Sequence, residues 1–89
     1  MDARLVEKTD EYEQLLADAC QETNVAESPS EEVSRRAHEC LEMATAYLAD
    51  GRHFQTEHDY PNALAAFAYG HGWLDAGIRL GVLDDHAGE

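Results

Sequence analysis

Apolar residues recur along this chain at intervals of three and four and never in strict alternation, so the pattern predicts helices and no strand. The first periodic stretch covers about residues 3–23, with Leu5, Tyr12, Leu16, Ala19 and Cys20 on one stripe and acids on the opposite face. A second covers about residues 29–57, its stripe running Val33, Ala37, Cys40, Leu41, Ala44, Tyr47 and Leu48 and then reaching Gly51 and Phe54. The third covers about residues 61–82. The expected architecture is all-α: one domain, an antiparallel three-helix bundle, with residues 84–89 ("DDHAGE") as a frayed tail.

The breaks between helices carry local signals. In "NVAESPSEE", Ser28 is expected to cap the second helix, with Pro29 at its first position and Glu31 closing a capping box. Gly51 could end that helix or sit inside it at about 1 kcal/mol relative to alanine. Phe54 keeps the helical beat, so continuation to about Glu57 is expected. Pro61 belongs in the first turn of the third helix, where its missing N–H costs nothing, with Asp59 or Tyr60 just ahead of it.

Folding the second and third helices back about a turn near Asp59 sets Phe54 opposite Leu64, Gly51 opposite Phe67, Leu48 opposite Gly70, Ala44 opposite Leu74 and Leu41 opposite Gly77. Large residues repeatedly meet small ones, as close packing of two helices requires. The glycines of "YGHGWLDAG" therefore have a packing explanation. They lack the spacing of a dinucleotide fingerprint, no strand precedes them, and no Lys-Ser/Thr follows to make a phosphate loop.

From Asn62 to Leu83 the only charges are Asp75 and Arg79, spaced as an i,i+4 pair. A helix so apolar on all sides is normally covered on more than one side. The third helix is thus expected to be central, and to border an interface carried by Tyr69, Gly70, Trp73 and Gly77, either with a second copy in a homodimer or with another protein. Full burial inside a monomer is the alternative.

Charge changes the picture of the setting. Nineteen acids stand against six basic residues, a net charge of −13. Such self-repulsion weakens a compact chain in dilute buffer and keeps it soluble in concentrated salt, which points to salt adaptation; the competing reading is a basic partner. The opening "MDARLVEKTDEYEQ" has charges every few residues, which predicts no signal peptide, and no apolar run is long enough for a membrane span, so a cytoplasmic location is expected. Cys20 and Cys40 are too few for a disulfide framework or zinc site. A turn near Ala26 would set Cys20 level with Val33, about 10 Å along the bundle from Cys40.

The segment "YLADGRHFQTEHDYPNALAAFAYGHGWLDAGIRLG" resembles a family of small archaeal helical proteins known as domain of unknown function 357. The resemblance spans about Met43 to Leu83 and is carried by Tyr47, Asp50, Phe54, Asp59, Tyr60, Asn62, Ala63 and the run Gly72 to Gly77. Gly51 departs from it, standing where alanine is more usual. The resemblance implies an archaeal cytosolic protein with a three-helix fold, and implies no reaction. "HDYPNALAAFAYG" is also similar to a tetratricopeptide-type hairpin, but one hairpin is not an array.

Candidate chemistry is thin. His53 with Glu57, and His71 with Asp75, have i,i+4 spacing that could seat two metal ligands, but the pairs lie about 9 Å apart and do not converge. No metal and no cofactor is inferred. Arg52 to His58 and Arg79 to His86 fit the R-x4–6-H spacing of helical HEPN-type ribonucleases, in which histidine is the acid/base and arginine stabilises the phosphorane. With five arginines and five histidines, about one such spacing is expected by chance. Arg35 and Arg36, the adjacent basic pair, sit among Glu31, Glu32, Glu39 and Glu42, so no basic stripe collects phosphates. The expectation is a non-enzymatic interaction module presenting Tyr69, Trp73 and Gly77, with an HEPN-like ribonuclease using Arg52 and His58 as the alternative.

Overall fold

The computed structural model describes residues 2–85. Helix α1 is Ala3–Glu22, α2 is Glu31–Thr56 and α3 is Tyr60–Arg79; two-residue strands β1 (Asn24–Val25) and β2 (Leu83–Asp84) complete the fold. Three helices packed as a bundle are thus present as the periodicity predicts, and α2 passes through Gly51 without a break.

Each helix starts on an oxygen side chain. Asp2 accepts from Arg4 N–H at 2.9 Å to open α1. Asp59 opens α3, accepting from Asn62 N–H at 3.3 Å while its other carboxylate oxygen takes Asn62 Nδ2 at 2.7 Å. Pro61 sits in the first turn, as expected. The cap of α2 is corrected: it is Ser30, not Ser28, that accepts from Val33 N–H at 3.2 Å, and Pro29 lies ahead of the helix. The Ser28 hydroxyl instead accepts from Ser30 N–H at 3.1 Å, a local turn that competes with helix entry at Pro29. Glu31 is therefore the first helical residue, beside Glu32, where both carboxylates face the positive end of the helix dipole.

The ends of α2 and α3 share one geometry. His58 has a positive φ of 58°, its N–H donates to Gln55 C=O, and the N–H of Asp59 reaches back to Phe54 C=O. Gly81 repeats this with φ 78°, donating to Ile78 C=O while Val82 N–H reaches Gly77 C=O. Both are Schellman closures, which satisfy carbonyls the helix leaves free.

The second closure corrects the expected helix end and tail. Helix α3 stops at Arg79, not near residue 82, and the chain turns back to pair antiparallel with the connector, Val25 with Leu83 and Asn24 with Asp84. Ala26 N–H adds a bond to Val82 C=O at 2.9 Å. Leu83 is buried, so the fray expected over residues 84–89 does not hold at Asp84; residues 86–89 lie outside the described residues.

Helix α3 packs against both others. A Cβ placed on Gly51 would lie within 2.7 Å of three atoms of the Phe67 ring, so the expected Gly51–Phe67 register holds. Gly70 gives its room to Leu16 of α1 and to the Ala44 carbonyl rather than to Leu48. Gly77 gives its room to Leu83 rather than to Leu41. Leu16, Ala37, Ala44, Ala63 and Phe67 are fully buried at the centre. Thr9 joins them, occupying the missing beat between Leu5 and Tyr12 by turning its hydroxyl onto Leu5 C=O at 2.7 Å.

The first two helices meet in a register the sequence reading misplaced. Arg52 Nε donates to Glu13 at 2.8 Å and Gln55 Nε2 to Asp10 at 3.1 Å, and Cys20 comes level with Thr45, not Val33. The connector through β1 is an extended segment rather than a tight turn, which slides α1 further along α2. Both cysteines are half-buried free thiols.

Candidate interaction face

The inward side of α3 is formed by Ala63, Ala66, Phe67, Gly70, Leu74 and Gly77. Gly70 and Gly77, expected at an interface, are therefore inside the bundle, filled over by Leu16 and Leu83. The opposite side of the same helix is uncovered: Ala65, Ala68, Tyr69, Gly72, Trp73 and Ala76 are exposed, and Leu80 follows just past the helix. Tyr69 is 64 % exposed, Leu80 77 % and Trp73 39 %. The helical repeat makes this inevitable once Phe67 and Leu74 point inward, because residues two positions away point out.

Neighbours on α2 hold the aromatic residues at the edge of this face. Tyr69 lies on Tyr47 with ring centroids 5.6 Å apart and a 43° tilt. Trp73 walls a groove of about 450 Å³ with Cys40 and Met43, rimmed by Arg36, Glu39 and Glu42. Arg36 is engaged by Glu32 and Glu39, and its hydrogen bond to Glu39, with the Glu32 charge nearby, pushes its pKa above the ordinary guanidinium value. Arg35 also pairs with Glu32. The charges on α3 close on each other, Arg79 Nε donating to Asp75 at 3.2 Å. Phe54 is half-buried at the far end, beside Asn62 and Ala65.

The two catalytic candidates have different partners. Arg52 is held by Glu13 on α1, whereas His58 occupies the left-handed closure of α2 with its ring 3.4 Å from the Tyr60 hydroxyl. His53 pairs with Glu57 at 3.3 Å in solvent. His71 faces α1, its ring edge-on to Tyr12 at 6.3 Å, with Nε2 buried and lacking a hydrogen-bond partner. Among the described residues no three His, Cys, Asp or Glu side chains gather as a metal site, and no helix is long and apolar enough to cross a membrane.

The geometry defines a class: a three-helix bundle whose third helix turns an aromatic-edged face outward, its only charges the paired Asp75 and Arg79. A family model described as a protein of unknown function, DUF357, matches residues 11–83, and the chain belongs to that family. The match takes in most of α1 as well as the α2–α3 hairpin that carries the resemblance in sequence. No curated protein and no solved structure matches the chain.

Proposed function

We propose that this protein is a non-enzymatic interaction module that docks through the outer face of α3, with Tyr69 and Trp73 as its anchors, onto another copy of itself or a larger complex. The observation that carries the reading is the exposure of two large aromatic side chains on a helix whose outer surface bears only the self-paired Asp75 and Arg79. Apolar patches edged by aromatic residues are where binding energy concentrates. The acid excess of −13 fits a cytoplasmic protein of an archaeal cell rich in salt, where screening removes the self-repulsion.

The test is to purify tagged wild-type protein and the Trp73→Ala and Tyr69→Ala variants from a haloarchaeal host in molar KCl and compare what each retains. The variants are expected to lose the wild-type assembly or partner while keeping their helical circular dichroism. Unchanged assembly and unchanged co-purifying proteins in both variants would sink the reading.

A further inference from the structure

Among the described residues, the glycines separate into those the folded chain explains and one it does not. Gly51, Gly70 and Gly77 each face a side chain that a Cβ would strike, and Gly81 needs its positive φ. Gly72 has nothing within 4 Å of where a Cβ would stand. It sits mid-helix on the exposed side of α3, where alanine would fit and would favour the helix by about 1 kcal/mol. The open space at this position leaves room for a body from outside, and absence of a Cβ matters most where another backbone approaches closely.

Charge identifies that body. The chain carries −13, and α3 holds just one of its nineteen acids, Asp75, neutralised by Arg79. Two copies meeting through α1 or α2 would bring rows of carboxylates together. Meeting through α3 they would not. A basic partner would be drawn to the acidic outer surfaces of α1 and α2, and an uncharged strip offers it no complementary charge.

Building on the interaction-module reading, we infer that the occupant is a second copy of this chain, packed with α3 antiparallel to α3 about a two-fold axis between Gly72 and Trp73. That axis sets Leu80 over the copy's Ala65, Tyr69 over its Ala76 and Trp73 over its Gly72, large on small at each level, and the same contacts recur reciprocally as an isologous interface requires. Because like-charged bodies are being joined through an apolar face, association strengthens as KCl rises. A complex with a basic protein would weaken instead.

Sedimentation equilibrium of the full chain in molar KCl, with wild type and Gly72→Glu, tests this. Wild type is expected to be dimeric, and Gly72→Glu monomeric with unchanged helical circular dichroism. Gly72→Cys, oxidised with copper phenanthroline, is expected to give a covalent dimer that neither wild type nor Glu7→Cys on α1 gives, since the axis brings residue 72 within disulfide reach of its counterpart. A monomeric wild type overturns the second-copy assignment alone, leaving the interaction reading to the Trp73→Ala comparison. A dimer that survives Gly72→Glu with the fold intact, or one that weakens as salt rises, overturns the α3–α3 interface; in the first case the α3 docking face fails with it.

Discussion

Leu83 stands where a side chain on residue 77 would have to be. A Cβ at Gly77 would come within 2.7 Å of Leu83 Cγ and nearer still to its Cδ1. The contact joins the middle of the bundle to a segment that the chain reaches only after reversing at Gly81. Gly77→Ala is therefore expected to expel Leu83 rather than to part the helices, at about 1–3 kcal/mol. Hydrogen exchange checks it: Ala26 N–H, which donates to Val82, should lose protection while amides inside α2 keep theirs.

Gly51 offers no such escape. The atoms a new Cβ would meet belong to the Phe67 ring, which is fully buried and has no flexible end to swing away. Gly51→Ala should lose about 3 kcal/mol to overpacking, offset by about 1 kcal/mol of helix propensity. Gly72→Ala, in open space, should gain the propensity without the clash wherever the chain is monomeric. Urea unfolding of these two variants, measured below the association range, should move their midpoints in opposite directions.

At the two ends of α2, opposite substitutions should have opposite signs. Ser30→Ala removes the cap on Val33 N–H and should cost about 1 kcal/mol, with Ser28→Ala costing less because its hydroxyl holds only the preceding turn. His58→Gly relieves a left-handed residue bearing a Cβ and should stabilise by about 1 kcal/mol. Thermal unfolding of the three variants ranks them directly.

Burial pushes the Cys20 thiol up, against weaker lowering by the Thr45 side chain and the Arg52 charge. With the folded pKa above the unfolded one, the unfolded chain gives up its proton first. The thiol's contribution is therefore complete below the ordinary range near ~8.5 and declines as pH climbs from there through the folded value. The stability difference between wild type and Cys20→Ala should shrink over that alkaline window in urea titrations. A difference independent of pH would remove burial as the cause.

What is legible in the residues is what depends on short-range chemistry. Helix existence follows from the three- and four-residue period, the α2–α3 turn from Asp59 and Pro61, and the Gly51–Phe67 register from the shortness of that turn, which leaves two antiparallel helices little freedom to slide. Gly81 followed by Val82 is a Schellman signal that could have ended α3 at the right place. Its effect on Leu83 could not have been read from it.

The amino-acid order by itself determined three helices, a nearly uncharged third one and most of their boundaries, because capping, proline stereochemistry and amphipathic period act within a turn or two. Only the tertiary structure decided how far α1 slides along α2, because the connector through β1 permits several offsets and the contacts Arg52–Glu13 and Gln55–Asp10 belong to one of them. It also decided that Gly70 and Gly77 face inward while Tyr69, Gly72 and Trp73 remain uncovered. A helix apolar on every side can bury any of its faces, and the choice falls to the side chains, Leu16 and Leu83, that distant parts of the chain deliver to it.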